Sequence, residues 1–282
     1  MSYGQSYEPG QGRSPNWKLR LALAGIIALI SIISYYSVTD ENPVTGEHQR
    51  VNMTTNEEIA LGLQAAPQME AEHGGLSPNP QARAEVDRVG NRLLGALSES
   101  LRRQGHNNPY PFKFHLLRDS ETVNAFALPG GQVFITVGLY KELETDGQLA
   151  GVLGHEIGHV LSRHGAQQLA KQQLTQGLVG AAGVASGDQN AAQMAAQIGQ
   201  LVNMKYGRDD EKQADIWGIK LSALAGYDPR AMIGVMKILD RVSKGGPPEF
   251  LSTHPSPANR VECIEDEIHK EFPNGVPAGL EP

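Results

Sequence analysis

The residues best suited to chemistry form a short pattern, His155-Glu156-Ile157-Gly158-His159, which is an HExxH sequence. On a helix, residues four apart lie on one face with their Cβ atoms about 5–6 Å apart. Two imidazoles at this spacing can bind one Zn²⁺ ion without any change in the backbone. Glu156 directly follows the first histidine, where a carboxylate can reach water beside the metal and act as a general base. The pattern therefore predicts metal-assisted hydrolysis.

The HExxH pattern fixes only three positions, so on its own it is weak evidence for a metal site. The alternative is that the two histidines are hydrogen-bonded residues of a protein core. Residues 145–164 carry apolar side chains at helical spacing, which predicts a buried helix. Thr145 and Asp146 are suited to cap its start, and Gly165 to follow its last turn. Burying two histidines and a carboxylate without partners is unfavourable, and a metal ion would remove that penalty. This segment alone leaves both interpretations open.

The composition limits how a metal could be held. The chain has 282 residues, 40% hydrophobic and 20% charged, which suffices for one sizeable domain with an appendage. Its formal net charge of −7 argues against nucleic acid as a partner. Cys263 is the only cysteine, so neither a disulfide nor a cysteine-based zinc site can form within one chain. Any zinc must be bound by histidine, aspartate or glutamate.

An uncharged run of 18 residues at 21–38 is long enough to cross a hydrocarbon core of about 30 Å. Charged residues flank it asymmetrically: Arg13, Lys18 and Arg20 before it, Asp40 and Glu41 after it. No small-x-small cleavage site follows, which favours a signal anchor over a cleaved signal peptide. We predict a transmembrane helix at 18–38, with residues 19–38 in lipid. By the positive-inside rule, the N-terminus is cytoplasmic and the bulk of the chain lies outside.

Composition also divides the rest of the chain. Residues 1–17 are rich in Gly, Ser, Pro and Gln and predict a disordered cytoplasmic tail. Residues 39–54 contain the turn-forming NPVTG and predict a linker. One catalytic domain is predicted at 55–272 and a C-terminal tail at 273–282. Within the domain, the Ala-, Gln- and Gly-rich residues 165–204 are interpreted as flexible.

A small β-sheet is predicted just before the HExxH helix. Residues 112–117 alternate in polarity, and residues 124–128 and 132–137 flank a Pro-Gly-Gly turn as a hairpin. An edge strand beside the helix can bind an extended peptide through backbone hydrogen bonds. Ordinary turn chemistry explains Asn124 and the glycines equally well. A strongly amphipathic helix at 82–101 precedes the sheet.

A second helix, predicted at 211–225, carries two acidic residues on one face. Glu211 and Asp215 are four apart, as the two histidines are. Glu211 could be a third metal ligand, and Asp215 could accept the free ring N–H of a ligating histidine. Such a pair is common on solvent-facing helices, so it supports a metal site only in combination with the two histidines of the HExxH pattern.

Six segments in this order resemble the membrane-associated gluzincin metallopeptidases: NPVTGE, NAFALPGG, HEIGH, RDDEKQAD, AGYDP and THPSPANR. This family includes the HtpX heat-shock protease, the CAAX-prenyl endopeptidase and periplasmic chaperone-proteases. The resemblance spans about residues 42–260. It implies an α+β, mostly helical, zincin-like (minigluzincin) domain with a small β-sheet, one Zn²⁺ per chain and polypeptide substrates. The chain departs from HtpX in having one apparent span rather than several, which puts a buried membrane-protein substrate in doubt.

The resemblance also implies roles for the matching residues. His155, His159 and Glu211 correspond to the zinc ligands. Glu156 corresponds to the catalytic base, and Asp215 to the aspartate behind the ligands.

Four further residues receive roles from the same resemblance. Asn124 and Ala125 fall in the strand that borders the substrate cleft. His254 lies in a loop that, in periplasmic relatives, can place a regulatory fourth ligand on the zinc; a plain loop histidine is the alternative. Arg260 could stabilise the oxyanion or pair with a carboxylate such as Glu262.

Together with the resemblance, these observations predict a membrane-anchored zinc endopeptidase that hydrolyses unfolded or misassembled envelope proteins in protein quality control. The resemblance to periplasmic chaperone-proteases implies that the anchor lies in the inner membrane and that the catalytic domain is periplasmic or extracytoplasmic. The first alternative is a tethered chaperone or quality-control binding factor with a latent or structural metal site. The second is a membrane-anchored scaffold with accidental motifs. No oligomeric state is predicted.

Overall fold

The computed structural model describes four stretches of the chain, residues 16–186, 206–243, 248–254 and 259–282. The chain forms two compact units, Met1–Ser37 with Lys171–Val202 (unit 1) and Val38–Ala170 with Asn203–Pro282 (unit 2). The described part is mostly helical with two small sheets, which confirms the predicted fold class.

We number the elements along the chain. The helices are α1 (Trp17–Ser37), α2 (Thr55–Glu72), α3 (Pro80–Arg103), α4 (Val137–Tyr140), α5 (Asp146–Leu161), α6 (His164–Ser186), α7 (Arg208–Leu224), α8 (Ala231–Ser243), α9 (Glu249–Thr253) and α10 (Arg260–Glu271). The strands are β1 (Asp40–Glu41), β2 (His48–Gln49), β3 (Lys113–Leu117), β4 (Ala125–Leu128) and β5 (Gln132–Thr136).

Unit 1 contains α1 and the later part of α6. α1 coincides with the predicted span, has a mean hydropathy of 1.9 and is long and apolar enough to cross a membrane. Small side chains bring the two helices together, since a Cβ atom on Gly177 would overlap Oγ of Ser31. Most of the predicted N-terminal tail lies outside the described residues. The segment predicted as flexible is helical as far as Ser186, and its remainder also lies outside them.

Unit 2 is built around α5, whose residues from Gly147 to Leu161 are all buried. A three-stranded sheet in the order β3-β5-β4 packs beside it, with β3 parallel and β4 antiparallel to β5. The three predicted strands and the hairpin are therefore confirmed. Helix α3 is confirmed as well, and its apolar stripe faces the core: Val86, Val89, Leu93, Leu97 and Leu101.

The start of α5 follows the prediction, but its end does not. Oγ1 of Thr145 accepts a hydrogen bond from the backbone N–H of Gln148, which caps the helix. The left-handed residue after the last turn is Arg163, with φ of 55°, and Gly165 already belongs to α6. This conformation is unfavourable by about 1–2 kcal/mol for a residue other than glycine. The prediction for Gly165 was wrong because tertiary contacts of the Arg163 side chain select the turn.

Those contacts come from the chain between α1 and α2 and from the first turn of α2. Nη1 of Arg163 donates to Asp40 at 2.7 Å, and Nε donates to the buried Glu58, also at 2.7 Å. Asn42 donates to the carbonyl of Leu161 at 2.8 Å. The last carbonyls of a helix have no partner within the helix, so the segment predicted as a linker closes the end of α5. The sequence analysis did not anticipate this.

The segment predicted as a C-terminal tail is also attached to unit 2. The carbonyl of Pro282 accepts from the backbone N–H of Gly147 at 2.9 Å. Glu281 forms an ion pair with Arg92 at 2.7 Å. The end of the chain therefore lies against the start of α5.

Candidate metal centre

Helix α5 places three of the predicted site residues in the core of unit 2. His155, Glu156 and His159 are at most 2% exposed. One helical turn separates the two histidines and brings their Nε2 atoms to 3.0 Å from each other. The shared face expected from the HExxH spacing is therefore present.

Helix α7 brings Glu211 against this pair. Its carboxylate oxygens lie 3.6 Å from Nε2 of His155 and 3.5 Å from Nε2 of His159. The approach depends on Gly158, because a Cβ atom there would lie only 2.7 Å from Cβ of Trp217 on α7. A larger residue at this position would push the two helices apart and withdraw Glu211.

His254, directly after α9, completes the cluster. Its Nδ1 atom is 2.9 Å from Oε1 of Glu211 and 3.4 Å from Nε2 of His155. One ligating atom from each of His155, His159, Glu211 and His254 lies within 4.8 Å of the others. The structure thus brings together the four residues that the sequence analysis named as metal ligands.

The polar atoms of this cluster fit a metal ion. Oε2 of Glu211, Nε2 of His254 and both carboxylate oxygens of Glu156 are buried without a hydrogen-bond partner among the described residues. Burial and the neighbouring His155 lower the pKa of His159 well below its ordinary value, so its ring is neutral and offers a lone pair. Buried acceptors without hydrogen bonds are unfavourable, and a cation among them would satisfy them. Imidazole and carboxylate suit a divalent transition metal.

Asp215, one turn after Glu211, lies behind the cluster. It accepts the ring N–H at Nδ1 of His155 at 2.9 Å, which leaves Nε2 of that ring facing the cluster. Arg260 donates to both oxygens of Asp215, from Nε at 3.0 Å and from Nη2 at 2.7 Å. Burial raises the pKa of Asp215, but Arg260 and His155 outweigh it and hold the pKa at about 2.

Arg260 pairs with carboxylates, as one of its two alternatives predicted, but the partners are Asp215 and Glu211, and the suggested partner Glu262 was wrong. Arg260 is 2% exposed, and its Nη1 atom also lies 3.3 Å from Glu211. Glu262 is on the exposed side of α10. The guanidinium therefore joins two carboxylates of α7, those of Glu211 and Asp215.

A comparison with protein-family models matches residues 80–268 to peptidase family M48. The matched region contains all four residues of the cluster. The chain belongs to peptidase family M48. This confirms the family resemblance drawn from the sequence motifs, and M48 membership implies a metallopeptidase domain of the zincin type.

Individual M48 relatives cover the chain to different extents. The chain is 32% identical over 246 residues to the beta-barrel assembly-enhancing protease of Yersinia pestis, covering 82% of this chain and 48% of the relative. It is 32% identical over 149 residues to the mitochondrial metalloendopeptidase OMA1 of Arabidopsis thaliana, covering 53% of this chain and 30% of the relative. It is 26% identical over 261 residues to the metalloprotease YcaL of Escherichia coli, covering 90% of this chain and 98% of the relative. The chain thus spans half or less of the first two relatives and nearly all of YcaL.

Two residues beside the M48 cluster were not predicted. Nδ1 of His164 lies 2.9 Å from Nδ1 of His159, and Nε2 of His164 lies 3.0 Å from Oε1 of Gln213. Tyr206 stacks on the ring of His159 with the centroids 4.1 Å apart. The sequence does contain a signal for His164, as a third histidine five residues after His159. Helical spacing would place it on another face, and only the turn at Arg163 brings the two rings together.

A cleft with a cavity of about 360 Å³ lies beside the cluster. Its walls include Met69, Phe126, Tyr206, Glu249 and His254. Asn124 also lines it and donates to Glu249 at 3.0 Å, while its own Oδ1 atom is buried without a partner among the described residues. Ala125 is fully buried in the core. Of the two residues predicted to bind substrate, Asn124 therefore lines the cleft, whereas Ala125 packs in the core behind it.

Proposed function

We propose that this M48 chain is a zinc-dependent endopeptidase whose zinc is held by His155, His159 and Glu211. The observation that carries the proposal is the buried cluster with Glu156 beside it, whose two carboxylate oxygens have no hydrogen-bond partner in the described part of the chain. Two imidazoles and one carboxylate form a ligand set used by zinc hydrolases, which keep a fourth position for water or substrate.

Glu156 is suited to the proton transfers of peptide hydrolysis. Burial raises the pKa of its carboxyl group, which brings the group toward the range in which a general base and acid work near neutral pH. Both oxygens are free to take a proton from the attacking water and to pass it to the leaving amine. Bound zinc would supply a Lewis acid for the scissile carbonyl. Asp215 holds His155 in the tautomer whose Nε2 atom is free to bind.

Strand β4 is suited to hold an extended polypeptide. It lies at one edge of the three-stranded sheet, and Asn124 and Phe126 at its start line the cleft. An extended chain can add to such an edge through backbone hydrogen bonds, while the cleft receives a side chain. This arrangement favours unfolded segments over folded surfaces as substrates.

We further propose that α1 anchors the enzyme in the inner membrane and that unit 2 acts on unfolded or misassembled envelope proteins. The hydropathy of α1 and the basic residues before it support the anchor and its orientation. The relative named beta-barrel assembly-enhancing protease supports a role in the envelope. Labelling of Cys263, the only cysteine, by a membrane-impermeant thiol reagent in intact spheroplasts would test the orientation.

The full chain, purified in detergent, is expected to contain stoichiometric zinc and to cleave an unfolded substrate such as casein. Removal of the metal with a chelator should abolish cleavage, and added zinc should restore it, because bound zinc would supply the Lewis acid that peptide hydrolysis needs. Zinc without turnover, together with client binding that survives Glu156→Gln, would support the tethered chaperone instead. A preparation without zinc would overturn the proposal.

The variant His254→Ala is expected to raise basal cleavage several-fold. His254 lies within bonding reach of the other three ligands, and a fourth protein ligand occupies the position that a catalytic zinc keeps open. Initial rates of casein cleavage check this, with His269→Ala as the control, since His269 is an exposed histidine on α10. A rate at or below that of the unmodified chain would show that His254 does not close the site.

A further inference from the structure

Glu47, in the turn between β1 and β2, contacts a side chain of α7. Its two carboxylate oxygens accept from Nε2 of Gln213 at 3.3 and 3.0 Å. A carboxylate without a proton can only accept, so the contact fixes which way the amide of Gln213 points. The NH₂ group faces Glu47, and the amide oxygen faces His164.

The amide oxygen of Gln213 determines where His164 carries its proton. It lies 3.0 Å from Nε2 of His164 and can only accept a hydrogen bond, so Nε2 carries the hydrogen. Oδ1 of Asp210, 3.9 Å from the same nitrogen, favours this arrangement electrostatically. A neutral imidazole has one N–H group, so Nδ1 of His164 presents a lone pair.

This lone pair faces Nδ1 of His159 at 2.9 Å. The proposed zinc would lie between the Nε2 atoms of His155 and His159, but no cation is proposed between these two Nδ1 atoms, so one of them must carry a hydrogen. Nδ1 of His164 does not, so Nδ1 of His159 carries the hydrogen and donates it. Nε2 of His159 is then unprotonated and faces the cluster, 3.5 Å from Oε1 of Glu211. His159 and His164 are 2% and 1% exposed, so bulk water does not replace either partner.

We infer that Glu47, Gln213 and His164 form a hydrogen-bond relay that holds His159 in the metal-binding tautomer, so that the turn between β1 and β2 contributes to the metal affinity. Asp215 holds His155 directly. His159 is held through three successive contacts, Glu47 to Gln213, Gln213 to His164 and His164 to His159. The relay residues are positioning residues, because they act through His159. The inference rests on the proposed function only in taking the cluster as a zinc site.

Two substitutions of His164 in the full chain test the relay, with zinc affinity measured by competition with a chromophoric chelator at fixed pH. His164→Leu removes the acceptor and is expected to weaken zinc binding about 10–100-fold, as loss of a partner behind a ligand does. His164→Asn keeps an acceptor oxygen near the position of the ring Nδ1 and is expected to recover most of the affinity. A packing role predicts the opposite order, because leucine fills an apolar site better than asparagine. Unfolding midpoints in chelator report separately on folding.

The distant links are tested by Gln213→Met and Glu47→Ala, each expected to weaken zinc binding several-fold. Glu41→Ala is the matched control, since Glu41 is an exposed carboxylate on the same segment. If the unmodified chain binds zinc and His164→Leu binds it equally well, or better than His164→Asn, the relay is wrong and the proposed function stands. If the unmodified chain binds no zinc, both are overturned.

Discussion

The variant Glu156→Gln is expected to abolish peptide cleavage while leaving the zinc content unchanged. Glutamine has the shape of glutamate but cannot take up a proton, and general acid–base catalysis contributes about 10²–10⁴-fold to a rate. Glu156 points beside the ligand cluster rather than into it: its nearest ion-pair contact in the cluster is Nε2 of His254, at 3.7 Å. Metal binding through His155, His159 and Glu211 therefore does not depend on its charge.

The same variant is expected to unfold at an equal or higher denaturant concentration. Both oxygens of Glu156 are buried without hydrogen-bond partners in the described part of the chain, and a neutral amide is less unfavourable there than a carboxylate. Casein turnover, elemental analysis and the unfolding midpoint measure the three effects on one preparation. Glu262→Gln, the same chemical change on the exposed side of α10, is the control. Turnover that survives in Glu156→Gln would remove Glu156 as the base.

The elements that the sequence predicted well are those whose signal is local. The apolar stripe of α3, the alternation of β3 and the cap at Thr145 all depend on neighbours within one or two turns. The HExxH pattern belongs to the same class, because one helix alone places His155 and His159 on a shared face. Glu211 was singled out only because a second helix repeated the spacing and the motif order resembled a family.

The contacts that the sequence did not predict depend on how elements meet. Gly158 lets α7 approach α5, and this becomes visible only when Trp217 is seen against it. Arg163 adopts a left-handed conformation because Glu58 and Asp40, distant in sequence, hold its side chain. His164 reaches His159 only through that turn, so helical spacing alone pointed away from the contact.

Arg260 lies between these two classes, because the sequence pattern could have predicted its burial but not its partners. Ile264 and Ile268 follow it at four and eight residues, so all three lie on one face of α10, and that face is buried. The residue was therefore to be expected in the core, where an arginine requires carboxylate partners. Which carboxylates it meets, Asp215 and Glu211, follows from the packing of α10 on α7.

The variant Arg260→Met is expected to lower the free energy of unfolding by about 3–5 kcal/mol, measured in chelator so that metal loss does not contribute. Removing one partner of a buried ion pair leaves the other charge uncompensated, and Asp215 is only 5% exposed. Arg241→Met is the control, because Arg241 pairs with Glu142 at the surface. Such a pair contributes at most about 1 kcal/mol.

The double variant Asp215→Leu/Arg260→Met separates stability from metal binding. It removes both charges together, so its free energy of unfolding is expected to exceed that of Arg260→Met alone. Zinc affinity is nevertheless expected to stay about 10–100-fold below that of the unmodified chain, because Nδ1 of His155 has lost its acceptor. Asp215→Leu completes the double-mutant cycle and gives the coupling energy between Asp215 and Arg260.

Zinc binding at the original affinity in the double variant would show that Asp215 does not orient His155. Additive losses of stability would show that the buried pair is not coupled. If stability recovers and zinc binding does not, the role of the Asp215–Arg260 pair is to hold the imidazole of His155 toward the metal. The protein then buries two charges for metal binding and not for stability.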